Sequence, residues 1–195
     1  MKIHKCLQGS DEWMKCRKGK LTGSNAQAIQ AQGDGLKSYV VQVMSNYYAS
    51  VRDDTYTNSD MDRGTELEPL ARAEYSRVNK VKVKEVGFIE MNKYVGVSPD
   101  GLVGKDGGIE IKCHSNLIYF KLLLGGEIDK KYWWQVQMNL LVSGRKWWDY
   151  VGFSPNFKKK LVIIRFYPDQ CAFDKLLKGF EMGIKQIESI KKQLK

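Results

Sequence analysis

The segment Gly108-Ile109-Glu110-Ile111-Lys112-Cys113 concentrates the residue types best suited to chemistry. Side chains alternate along a strand, so Glu110 and Lys112 share one face, about 7 Å apart, while Ile109, Ile111 and Cys113 point to the other. Two readings of this fragment stand side by side: a surface strand with a salt bridge, which stabilises little, or a carboxylate and an amine aimed at one substrate. Ten residues before Glu110, Ser98-Pro99-Asp100-Gly101 is turn chemistry, in which Asp100 can serve simply to hold the bend. The glycine-rich turn at 104–108 folds the two segments into a hairpin and brings Asp100 to within a residue or two of Glu110 in register. Carboxylates at that spacing repel unless a positive charge lies between them. Mg²⁺ suits the position, because it takes hard oxygen ligands and keeps several waters of its own. Lys112 would then orient or deprotonate an attacking water, or steady negative charge on a phosphate.

Other chemistries are poorly supplied. His4 and His114 are the only histidines, so neither an H-E-x-x-H zinc signature nor a Ser-His-Asp arrangement is present. Cys6, Cys16, Cys113 and Cys171 form no C-x-x-C pair, which argues against a zinc ribbon or a disulfide scaffold and for reduced, mostly packed thiols. Carboxylates, lysines or a cysteine must carry any catalysis. The 32 Lys+Arg against 22 Asp+Glu leave a net charge of +10, which suits a polyanionic partner. Lys158-Lys159-Lys160 and the terminal lysines can equally be solvated faces and a tail. Against that background one acidic stretch stands out, with Asp53, Asp54, Asp60, Asp62, Glu66, Glu68 and Glu74 opposed within it only by Arg63 and Arg72.

These side chains need a scaffold, and the patterning supplies one. Ser10 can cap a helix over 11–17 and Ser24 another to about residue 31. Helical spacing continues over 36–50, followed by a polar loop at 55–60 and a helix over 62–78. The period then shortens: β segments are expected around 81–89, 95–97, 102–103 and 109–113. Helices at 116–124 and 130–143, strands at 147–153 and 161–167, and a last helix from 169 complete an α/β layout, a mixed central sheet flanked by helices on both faces. At 195 residues, one domain burying about 70% of its unfolded surface is expected. No stretch approaches the ~20 apolar residues of a membrane span and the first residues lack a signal-peptide centre, so a soluble, cytosolic protein with no membrane partner is expected.

Asp100, Glu110 and Lys112 match the PD-(D/E)xK nuclease signature, and the flanking sequence resembles the lambda-exonuclease-like, YqaJ-type viral recombinase nucleases. Trp13 to Arg17 followed by Thr22-Gly23-Ser24 resembles their W-x-x-x-R and T-x-S segment. Arg63-Gly64-Thr65-Glu66-Leu67-Glu68 resembles their glycine-plus-glutamate helix, Leu124-Gly125-Gly126 their L-G-G turn, and Tyr132-Trp133-Trp134-Gln135-Val136-Gln137 their Y-x-x-Q-V-Q helix. The matches run in family order from about residue 10 to 153.

The resemblance implies a restriction-endonuclease-like fold in a single nuclease domain over 1–195. It implies that Asp100, Glu110 and the Ile111 carbonyl bind Mg²⁺, with Mn²⁺ as an alternative, and that Lys112 lies beside the attacking water. Glu68 would serve this ion or a second one, although Thr65-x-x-Glu68 also reads as a capping box and Glu66 could be the acid that faces the site. Gln135 and Gln137 point to nearly opposite sides of a helix, and the resemblance selects Gln135. Arg17 and Ser24 match positions that hold the 5′ phosphate of a DNA end, against the alternatives of a surface arginine and a plain N-cap. The implied activity is a processive 5′ to 3′ exonuclease on linear double-stranded DNA in phage-type recombination. A ring-shaped trimer, a single-strand annealing protein as partner, and a phage or prophage origin in a bacterial cytoplasm are implied as well. The rival readings are a structure-specific endonuclease or RNA-cleaving relative on the same fold, and a catalytically silent module that binds DNA ends.

Overall fold

The computed structural model describes residues 1–50 and 59–194. In chain order its elements are β1 (Lys2–His4), α1 (Asp11–Arg17), β2 (Leu21–Thr22), a 3₁₀ turn (Gly23–Asn25), α2 (Ala26–Ala31), α3 (Asp34–Tyr48), α4 (Ser59–Asn79), β3 (Val83–Lys84), β4 (Phe88–Asn92), β5 (Val95–Val97), β6 (Gly101–Val103), β7 (Gly107–Cys113), α5 (Asn116–Leu123), α6 (Lys130–Ser143), β8 (Trp147–Phe153), β9 (Leu161–Phe166) and α7 (Gln170–Gln193). The strands form not one central sheet but two mixed ones, ordered β1-β4-β5-β2 and β3-β6-β7-β8-β9. The expected hairpin is β6–β7, with Gly101 opposite Ile109, and β7 runs parallel to β8 through seven paired positions from Gly107–Trp147 to Cys113–Phe153.

Alternation on β7 decides which helix covers which face. Ile109 and Ile111 pack with Ala71 and Tyr75 of α4 and with Val151 and Phe153 of β8. On the opposite face, Trp148 joins Val136, Met138 and Leu140 of α6 in the larger core. Gly108 is required there: a Cβ at that position would lie 2.4 Å from the Trp148 ring. Glu110 and Lys112 share this second face and so look toward α6.

Several local expectations change. The Ser10 cap on α1 is present, its hydroxyl accepting from the Trp13 amide. Ser24 caps nothing; it lies inside the 3₁₀ turn, and α2 starts after Asn25 without a side-chain cap. Residues 65 and 68 do not stand at a helix start, because α4 begins at Ser59 and continues past Pro69. The polar loop expected at 55–60 lies, through residue 58, outside the described residues, as do Asp53 and Asp54. Strands β1 and β2 were not expected; three and two residues long, they are too short for a periodic signal and exist by pairing with β4 and β5. Among the cysteines, Cys171 is exposed and the other three are half-buried, all four free.

One polar network locks α4 to the five-stranded sheet. Asp149 of β8, 1% exposed, accepts from the Tyr75 hydroxyl at 2.7 Å and from Arg165 of β9 at 2.7 and 2.9 Å, while the Arg165 guanidinium lies 3.8 Å from the Trp147 ring centroid. Removing the carboxylate leaves a buried hydroxyl and a cation without their shared acceptor. Asp149→Ala is expected to cost about 3 kcal/mol, the low end for a broken buried pair because Arg165 is itself partly solvated. Urea unfolding measures it; a loss under about 1 kcal/mol would show that the network does not hold α4.

Candidate active site

Glu110 stands in the middle of β7 and is 1% exposed, an expensive place for a carboxylate. Both its oxygens are engaged: Lys112 donates to Oε1 at 2.6 Å, and Asn139 of α6 donates to Oε2 at 2.9 Å. Asp100 enters from the edge of β7. β6 begins only at Gly101, so beyond Ile109 the β6 side of β7 has no strand partner, and Asp100 Oδ2 fills the gap by accepting from the Ile111 amide at 2.6 Å. A strand residue directs its N–H and C=O to the same side. The Ile111 carbonyl therefore opens onto the edge that Asp100 occupies.

Glu68 reaches the cluster from α4. Arg72, one turn later, pairs with it, donates to the Asp100 carbonyl at 3.0 Å and contacts Glu85 at 2.9 Å. The open choice between the two acids of α4 resolves here: Glu66 is exposed, whereas Glu68 lies close enough to feel the charges of Asp100 and Lys112. Gln135 is half-buried one turn before Asn139, and both approach the space beside Gly23. Gln137 has a structural task, donating to the Tyr167 carbonyl at 3.0 Å and accepting from the Asp169 amide at 3.1 Å.

The electrostatics follow from this crowding. Burial, and then the Asp100 charge, push the Glu110 carboxyl up to about 7, against the pull of Lys112 and Asn139. Burial and the Asp100 charge likewise push Glu68 up to about 7, despite Arg72 and Lys112. Asp100 is raised by burial, opposed by Lys112, the Ile111 amide and Arg72. Burial works to strip the Lys112 ammonium of its proton, but the Glu110 and Asp100 carboxylates outweigh it and hold its pKa above the ordinary value. The Lys112 ammonium also lies 5.3 Å from the Tyr132 ring.

Among the described residues, no three His, Cys, Asp or Glu side chains already converge as a closed metal centre. Their acids are held by nitrogen donors instead: Glu110 by Lys112 and Asn139, Asp100 by an amide, Glu68 by Arg72. The donor set nonetheless fits a hard dication. It offers carboxylate oxygens and a carbonyl at one strand edge, and acids whose mutual repulsion a cation would relieve.

Arg17 reaches the segment that leads into Asp100, and Ser24 lies on the turn that packs beside α6. Arg17 donates to the Ser98 hydroxyl at 3.0 Å, two residues before Asp100, contacts Thr22 Oγ1 at 3.5 Å, and stacks 4.3 Å from the Trp13 ring centroid. Ser24 is exposed on the turn that follows Thr22. A cavity of about 520 Å³ opens beside Arg17 and is lined also by Lys15, Lys18, Lys20, Thr22 and Asn25. Sequence reasoning missed Arg72 and Asn139. The signal available for both was spacing, since each lies four residues after a candidate, Glu68 or Gln135, and so on the same helix face.

Similar architecture is found in solved structures. The alkaline exonuclease LHK-Exo from Laribacter hongkongensis is 28% identical, with a TM-score of 0.86 over 95% of this chain and 96% of that one, and its complex with dAMP matches equally. A phage-related exonuclease from Haemophilus somnus 129PT, 16% identical, shares the fold with a TM-score of 0.72 over 90% of this chain and 96% of its own. No curated protein matches. Residues 12–146 match the YqaJ-like viral recombinase domain, a span of well over half the sequence that takes in Arg17, Ser24, Glu68, Asp100, Glu110, Lys112 and Gln135, and the chain belongs to that family.

Proposed function

We propose that this nuclease of the viral recombinase family is a metal-dependent exodeoxyribonuclease that degrades linear double-stranded DNA, processively and from the 5′ end. The observation that carries the reading is the convergence of Asp100, Glu110 and Lys112 at the open edge of β7. The 28% identity to an alkaline exonuclease supports the reaction class. Mg²⁺, or Mn²⁺ in its place, would be held by Asp100, Glu110 and the Ile111 carbonyl, with Glu68 serving the same ion or a second. When bound, such an ion supplies Lewis-acid activation of water and neutralises charge on the scissile phosphate.

The chain's own residues do the positioning. Asn139 fixes the rotamer of Glu110, and Arg72 holds both Glu68 and the backbone at Asp100. Lys112, kept as an ammonium by its acidic neighbours, acts as a donor to charge developing on phosphate oxygens rather than as a base. Gln135, which approaches Gly23 beside Asn139, would border the scissile phosphate. Arg17 and Ser24 would grip the 5′ phosphate, the guanidinium bidentately and the hydroxyl as a further donor. A ring-shaped trimer, a single-strand annealing partner and work in the cytoplasm of a phage-infected host complete the proposal. Among the described residues no helix is long and apolar enough to cross a membrane.

Digestion of end-labelled linear duplex beside a covalently closed circle tests this function. With Mg²⁺ the linear form is expected to be consumed and the circle spared; nicking of the circle would make the protein an endonuclease, and binding without nucleotide release a silent end-binding module. Lys112→Ala is expected to lower cleavage by at least about 10²-fold while DNA retention on a gel persists. Turnover equal to wild type would remove the lysine from the mechanism. Arg17→Ala is expected to erase a preference for 5′-phosphorylated over 5′-hydroxyl ends. Retention of that preference would exclude the Arg17 pocket.

Stability reports on the ion independently. Glu110 and Glu68 bind protons more tightly when folded than when unfolded, so their contribution to the metal-free protein is greatest at acidic pH and is lost as pH rises through about 7. A cation competes with those protons. Added Mg²⁺ is therefore expected to raise Tm at pH 8 and to have little effect at pH 5.5, measured by calorimetry; equal shifts at both pH values would place the ion elsewhere.

A further inference from the structure

The surface formed by α5 and the β8–β9 loop is unused by the reading above, yet it adjoins the catalytic lysine. Gly152 of β8 pairs with Lys112, so a side chain there would project from the same sheet face. Having none, it leaves room for α5: a Cβ on Gly152 would come within 2.4 Å of Leu122. The buried Tyr119 anchors the helix from its other turn, its hydroxyl donating to the Lys159 carbonyl at 2.6 Å.

With Tyr119 and Leu122 turned inward, α5 exposes Leu117, Ile118, Phe120 and Lys121. The Phe120 ring, 49% exposed, lies nearly parallel to that of Phe157 in the β8–β9 loop, at 19° and 6.3 Å between centroids. Lys158, Lys159 and Lys160 follow directly; like Lys121 they are exposed, and none has an ion pair within 4 Å among the described residues, although Lys160 lies near enough to Glu74 of α4 to feel its charge. An exposed Phe120 backed by the half-buried Phe157, with lysines beside it, supplies the components of a single-strand binding surface, where rings stack on bases and ammonium groups follow phosphates.

In the sheet order β6-β7-β8, Arg17 reaches the segment that leads into β6 through Ser98, and α5 lies on the β8 side of Lys112 through Gly152. We propose that α5 and the β8–β9 loop bind single-stranded DNA beside the active site, Phe120 stacking on a base and Lys121 with Lys158 to Lys160 holding its phosphates. This assignment rests on the proposed nuclease function for the identity of the ligand.

Fluorescence anisotropy of a labelled single-stranded oligonucleotide in EDTA tests it without any cleavage. Phe120→Ala is expected to weaken binding about fivefold or more, and Phe120→Trp to restore it. The combined Lys158→Ala, Lys159→Ala and Lys160→Ala variant is expected to weaken binding at low salt and to reduce the slope of log affinity against log salt by about 2. A control with Lys175→Ala, Lys178→Ala and Lys185→Ala, three exposed lysines of α7, should leave both quantities near wild type. Wild-type affinity and slope in the Phe120→Ala and triple-lysine variants, or an equal loss in the α7 control, would overturn the proposal. Failure of the wild type to cleave linear DNA while these losses persist would defeat the nuclease reading and leave the binding surface standing.

Discussion

A carboxylate buried in the middle of a strand sets the terms for this molecule. Glu110 loses nearly all its hydration on folding, and an ionised acid in that position must be compensated by charge and hydrogen bonds. The compensation arrives from two directions, the ammonium of Lys112 two residues along the same strand and the amide of Asn139 from the helix packed above it. Asp100 adds a second negative charge at the strand edge, and α4 brings Glu68 with Arg72 to balance it. The cluster is thus an alternation of acids with nitrogen donors, each acid retaining a pKa above its ordinary value because the balance is incomplete.

That incompleteness is the link between fold and chemistry. At Asp149 a single carboxylate meets one guanidinium and one hydroxyl and the network is a structural lock, whereas Glu110, Asp100 and Glu68 share the positive charge of Lys112 and Arg72. The two networks lie on opposite faces of the same strands, because Asp149 pairs with Ile109 and Tyr150 with Glu110. The Asp149 side binds α4 firmly to the sheet; firm placement of α4 in turn allows Glu68 and Arg72 to be presented at the other network's edge. Stability on one face and excess negative charge at the strand edge are complementary parts of one arrangement.

Helix α6 has a comparable double duty. Val136, Met138 and Leu140 fill the core, Gln137 ties the helix to the segment leading into α7, and Asn139 supports Glu110. Asp129 caps its start and Gly144, at φ +64°, ends it, so the side chains between are placed by a defined length of helix. The fold that holds this helix and hairpin recurs in a solved exonuclease structure only 16% identical.

The strand–turn–strand carrying Asp100, Glu110 and Lys112 was legible from residue order alone, because alternation on a strand and the reach of a short turn are local properties. So were most helices, whose spacing and caps lie within a few residues of each other. Other features depended on residues distant in sequence. Strands β1 and β2 exist through partners some seventy or more positions away. The choice of Glu68 over Glu66 depended on where α4 starts and which side it turns to the sheet, while Thr65 and Glu68 read locally as a cap. Ser24 likewise carried the residue type of an N-cap, but the 3₁₀ turn before α2 displaced it. Arg72 and Asn139 look like ordinary helix residues in the sequence and acquire their tasks only by meeting Asp100 and Glu110 across the fold. Sequence by itself therefore determined the chemical groups and their local geometry, and tertiary packing decided which groups meet, because burial and charge compensation are properties of the assembled chain.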